Sequence, residues 1–161
     1  MIRAPSTWML LGSLLFGLIF AIMPLPAGVA PARPFLLAML LAYWLMEAPN
    51  HVGLGMAFAI GLLADLVAAT PLGEQALRLV VLAFLVQRFR ARLRFFPLWQ
   101  QALALGLILL NDRIIASLLH LIMGDGLPPW SSWLSPLLAM VIWPWMFVLL
   151  DMARMRARER S

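Results

Sequence analysis

The side chains best suited to acid–base chemistry are few in this 161-residue sequence, and two of them stand where an acid is costly. Asp65 lies within the apolar run Leu54–Ala69, and Asp112 lies between Asn111 and Arg113 near the middle of Leu98–Met123. Two aspartates in a membrane raise the chemistry of an aspartyl pair, in which one carboxylate activates water while the other stays protonated. The next acid after Asp112 is Asp125, in Gly124-Asp125-Gly126, which reads as turn chemistry. His51 and His120 have no carboxylate or histidine at ligand spacing, so neither suggests a metal, and both suit helix ends facing headgroups. The absence of cysteine excludes disulfides, thiolate catalysis and cysteine-ligated metals. The residues point to a chain that is no enzyme and carries no cofactor.

An ionised side chain in hydrocarbon costs at least about 2.5–3.5 kcal/mol on insertion scales, so each acid needs a partner, a proton or water. Asp65 precedes the turn Thr70-Pro71-Leu72-Gly73, and Arg78 follows it. The tight turn makes the flanking helices antiparallel neighbours, which favours an Asp65–Arg78 ion pair holding them together or Asp65 reaching water, over contact with a partner helix or a place in a polar pocket. Asn111, Asp112 and Arg113 cannot share a direction at ~100° per residue, so at least one faces the interior. Internal salt bridging or a partner contact fits them better than a conduction path. Glu47 suits an arginine partner from a neighbouring loop, or hydration.

The elements that position these groups follow from composition. The chain is 64% hydrophobic with a mean hydropathy of +0.95, well above the ~45–50% apolar share of soluble domains. It reads as one polytopic membrane domain, an all-α bundle of about six transmembrane helices. All twelve basic residues are arginine, and eight form two clusters: Arg88, Arg90, Arg92 and Arg94, then Arg154, Arg156, Arg158 and Arg160. Both abut hydrophobic segments, where cytoplasmic loops accumulate arginine, so they indicate topology and lipid contact and not nucleic acid.

The predicted segments are 8–23, 34–48, 54–69, 72–87, 98–123 and 133–150, with a basic cytoplasmic loop at 88–94 and a basic tail at 151–161 that is a frayed helix end or disordered. Pro24 and Pro26 end the first; Gly28-Val29-Ala30 resembles a signal-peptide cleavage site, but Pro31 would directly follow the cut. Phe35–Met46 is short for a crossing, at ~18 Å against a core of ~30 Å, and its Tyr43 and Trp44 suit an interface. Segments two and three could instead form a re-entrant hairpin, which leaves every other orientation unchanged. Gly53, Gly55 and Gly61 offer close helix approach in segment three. Trp143-Pro144-Trp145 is either a packing kink or an aromatic docking surface. Six crossings with cytoplasmic N- and C-termini place both arginine clusters inside.

Several features in order resemble the bacterial rod shape-determining MreD family: Arg33-Pro34; Tyr43-Trp44 and Pro49; Gly55, Phe58 and Gly61; Asp65-Leu66; Leu72-Gly73; Leu98-Trp99-Gln100-Gln101-Ala102-Leu103; and Trp143-Pro144-Trp145 with Phe147. The resemblance implies an inner-membrane scaffold of the cell-elongation machinery. Its partners would be MreC and, directly or through it, MreB filaments and the peptidoglycan synthases of the lateral wall. It also implies a six-helix bundle similar to the membrane substrate-binding subunit of energy-coupling-factor transporters. Asn111-Asp112-Arg113 resembles part of the catalytic region of lipoprotein signal peptidases, but the second aspartate of that family is missing at its interval. A solute-binding or transport subunit is the alternative, and it requires Asp65, Arg78, Asp112 and Arg113 to line one cavity. The short, proline-rich external loops argue against such a pocket.

Overall fold

A hydrophobic helix with no polar face must be enclosed by protein or by lipid. In the computed structural model, which describes residues 7–28, 30 and 35–159, one such segment, the apolar run from Leu37 to Met46, becomes the centre of the bundle. Six α-helices are described: α1 Thr7–Ile22, α2 Leu36–Glu47, α3 Leu54–Ala68, α4 Glu74–Leu93, α5 Leu98–Met123 and α6 Ser135–Glu159, the last preceded by a 3-10 turn at Trp130–Leu134. Arg3, Val29, Pro31, Arg33, Pro34 and Arg160 lie outside the described residues.

Every residue of α2 from Leu37 to Met46 is buried, Tyr43 and Trp44 completely. The expectation that these two rings sit at an interface is therefore corrected. Tyr43 packs edge-on to Trp44 and to Phe147 of α6, and the Trp44 indole N–H donates to Ser13 Oγ of α1 at 2.7 Å. Enclosure also removes the problem of length, since a helix walled by α1, α4 and α6 meets little lipid and has little hydrophobic thickness to match.

Cross-helix contacts set the direction of each element. Ser13 meets Trp44, Gly17 approaches Leu37, Gly61 approaches Ala76, Gly106 approaches Met140, and Arg154 of α6 pairs with Glu47 of α2. Successive helices are thus antiparallel and run end to end. One end gathers the start of α1, the end of α2, and the C-terminal parts of α4 and α6 with their arginines. The opposite end holds the turn between α3 and α4. Helix α5, and α6 with its preceding 3-10 turn, are long and apolar enough to cross a membrane; α1, α2 and α3 are shorter apolar helices.

Two predicted limits are corrected. Of the arginines expected in a loop at 88–94, Arg88, Arg90 and Arg92 lie on α4, which continues to Leu93, and Arg94 follows directly; most of the expected tail is helix to Glu159. Arginine is a strong helix former, so a change of polarity leaves the backbone free to go on. The chain breaks where Pro97 forces it, and Gln101 of α5 then donates from Nε2 to the freed carbonyls of Leu93 (3.0 Å) and Phe96 (3.2 Å).

Candidate functional site

The first four N–H groups of any helix lack partners within it, and α4 opens on Gly73, which has no side chain to supply one. Asp65 supplies it from the neighbouring helix. Its Oδ1 accepts from Thr70 Oγ1 and the Gln75 N–H, both at 2.8 Å; its Oδ2 accepts from the Gly73 N–H at 2.8 Å and, more weakly, the Ala76 N–H at 3.5 Å. The carboxylate is 1% exposed and faces the positive end of the α4 dipole. The turn is built to deliver it: Ala69 adopts the left-handed conformation at φ 53°, Gly73 does so at φ 97°, and Pro71 lies between them. One turn earlier on the same face, Gly61 lets the backbones meet. A Cβ there would fall 2.3 Å from Ala76 Cα.

The expected Asp65–Arg78 ion pair is not formed. Arg78 turns to α5 and holds Asp112 with both arms of its guanidinium, Nε to Oδ1 at 2.9 Å and Nη2 to Oδ2 at 2.6 Å. Glu74, one turn back, lies 3.7 Å from Nη1, and the Phe35 ring centroid lies 5.0 Å from the guanidinium carbon. The partner changes because backbone amides satisfy Asp65 outright. Asp112 is central in its segment yet meets Arg78, just beyond the first turn of α4, because α5, at ~39 Å, runs past the start of α4. His120, near the overhanging end, donates to the Ala116 carbonyl at 2.7 Å and lies 4.0 Å from Glu74.

Several of these groups wall a cavity of about 410 Å³ at the bundle end opposite the arginine clusters, where Gln75, Arg78, Asp112 and Arg113 line it together with apolar residues that include Phe20, Phe35 and Pro129. The pocket that the short loops argued against is present, because helix ends wall most of it and the loops need not. Asp65 does not line it.

At the arginine-rich end Arg90 folds inward, its Nε donating to the Met46 carbonyl at the close of α2 at 2.9 Å. Arg154 pairs with Glu47, so the partner comes from α6 and not from the α4–α5 connection. Arg88, Arg92 and Arg94 remain exposed. The aromatic triplet divides: Trp143 is fully buried beside Phe147, whereas Trp145 is 73% exposed on the outer surface of α6. Sequence reasoning missed the capping role of Asp65, the α2 core and the Arg78–Asp112 clamp. The first had a signal in Thr70 and Gly73, a helix start without a capping side chain of its own.

With this geometry in hand, the comparisons are specific. The family model for rod shape-determining protein MreD matches residues 3–153. The chain belongs to the MreD family. A rod shape-determining protein MreD from Haemophilus influenzae is 29% identical over 135 residues, covering 84% of this chain and 83% of the relative. No solved structure matches, so the expected likeness to energy-coupling-factor subunits has no counterpart there. Membership of the MreD family makes this an all-helical membrane protein of rod-shape determination, and the Asp65 cap and the Arg78–Asp112 clamp are features of this chain's own bundle.

Proposed function

We propose that this chain is a non-enzymatic, multi-pass scaffold of the bacterial inner membrane, which binds MreC and helps link MreB filaments to lateral-wall peptidoglycan synthases. The observation that carries the reading is the family match over residues 3–153. The chemistry of the bundle agrees with it. Asp65, Arg78 and Asp112 are engaged in joining α3, α4 and α5, an arrangement that fixes the geometry of the bundle. Exposed apolar side chains such as Leu66, Leu107, Val141 and Trp145 give the outer surfaces of the helices to lipid or to a partner's transmembrane helix. The positive-inside rule assigns the arginine-rich end to the cytoplasm, where Arg88, Arg92 and Arg94 face anionic lipid or cytoplasmic partners.

The solute-binding reading requires four polar groups around one cavity. Three of them, Arg78, Asp112 and Arg113, are there, and Asp65 is sealed beneath α4. The cavity is what favours this second reading. Affinity purification from membranes separates the two: MreC and wall synthases are expected to co-purify, whereas a vitamin or a pair of ATPase subunits would replace the scaffold with a transporter subunit.

A further inference from the structure

Charge in the cavity is unevenly satisfied. Arg78 has two carboxylates, Asp112 in bidentate contact and Glu74 at 3.7 Å. Arg113, half-buried on the same wall, makes no salt bridge among the described residues, and its charge lies within electrostatic range of both Arg78 and Asp112. Among the described residues the two carboxylates of the cluster, Asp112 and Glu74, both lie against Arg78, so the lining arginine without a salt-bridge partner is Arg113. A cation held between apolar helix ends is stabilised by a countercharge or by water. Arginine offers a planar fork that fits carboxylate or phosphate oxygens better than an ammonium does.

Shape narrows the ligand. At about 410 Å³ the cavity is within the ~300–1,000 Å³ range of small-molecule sites. Its lining is mixed in kind: Gln75, Arg78, Asp112 and Arg113 share it with Phe20, Phe35 and Pro129, and the Phe35 ring packs against the Arg78 guanidinium. Such a site solvates a charged head and an apolar stem together. We propose that the cavity binds one amphipathic anion, a phosphate or carboxylate on a hydrocarbon stem, with Arg113 as the principal countercharge. The head replaces the carboxylate that Arg113 lacks, and the stem lies among the aromatic and proline side chains of the lining. This site does not depend on the partner-helix reading: the scaffold can be right and the cavity empty, or the reverse.

The test uses the full chain purified in a neutral maltoside detergent, with decyl phosphate as the probe, followed by native mass spectrometry and by calorimetric titration. One saturating equivalent is expected. Arg113→Gln should weaken it at least tenfold, Arg113→Lys should recover part of the loss, and Ala68→Leu, which fills the cavity without changing charge, should abolish it. Arg92→Gln, at the other end, should leave it unchanged. Competition by inorganic phosphate assigns the head to a free anion; competition by phosphatidylglycerol in nanodiscs, and not by phosphatidylcholine, assigns it to a lipid. Equal binding of uncharged decanol, equal binding by Arg113→Gln, or no saturable binding by a monodisperse wild-type chain would each overturn the site. Arg113→Lys keeps the test open if Arg113→Gln fails to fold.

Discussion

Replacing Asp65 by asparagine changes one atom of the cap and reverses its chemistry on one side. The carboxylate offers two acceptor oxygens, and the amide keeps one. The cheaper orientation keeps the oxygen facing Thr70 Oγ1 and the Gln75 N–H, which turns the new NH2 toward the Gly73 N–H now held at 2.8 Å and the Ala76 N–H at 3.5 Å. One good charge-assisted bond, valued at about 1.5–3 kcal/mol, is lost, and two donors face each other in a site with no room for water. Loss of the negative charge at the α4 N-terminus adds about 0.3–1 kcal/mol. Together these come to about 2–4 kcal/mol. For a chain of this size about 2–4 °C of Tm follows each kcal/mol, so thermal unfolding of the detergent-solubilised protein should fall by about 4–16 °C. Thr70→Val removes one charge-assisted bond to the same carboxylate but keeps the charge and sets no donors against each other, so it should cost about 1.5–3 kcal/mol. If Asp65→Asn unfolded within 2 °C of the wild type at about the same slope, the cap would carry no weight and the reasoning would fail.

Other perturbations separate neighbouring explanations. In a double-mutant cycle Arg78→Gln and Asp112→Asn should couple by about 1–3 kcal/mol, whereas Arg78→Gln with Asp65→Asn should be close to additive; the opposite ranking would restore an Asp65–Arg78 pair. Gly61→Ala must force α3 from α4 and should abolish a stable monodisperse product, while Gly55→Ala, with open space at its Cβ, should stay within about 0.5 kcal/mol of wild type. Trp143→Ala should cost about 3–5 kcal/mol in thermal or denaturant unfolding; Trp145→Ala should leave stability nearly unchanged, so any loss of partner recovery with it is a surface effect.

How much of this was legible in the sequence depends on which physical signal each feature leaves. Apolar runs bounded by proline or glycine locate α1, α3 and α5 to within a residue or so, since Pro24, the Thr70-Pro71 turn and Gly124 each stop a helix chemically. The ends of α4 and α6 were misplaced because hydropathy marks where lipid ends, and an arginine-rich helix continues past that point. The position of α2 was hidden for a related reason. An all-apolar helix satisfies lipid and protein equally, so nothing in Leu37–Met46 says which one encloses it. That Asp65 needed a partner was plain from its cost, but the choice among Arg78, water and the amides of Gly73 and Gln75 depends on the register of two helices. Arg78 and Asp112 are separated by 34 positions, and only packing brings them together.

The scaffold reading is tested most directly by placing a photo-crosslinking amino acid in living cells at outward positions of the bundle, Leu66, Leu107, Val141 and Trp145 among them, with buried Trp143 as the control. The account predicts that positions along one face cross-link to MreC and that Trp143 does not. Cross-links to lipid alone from every outward position, in cells where MreC is present, would contradict it.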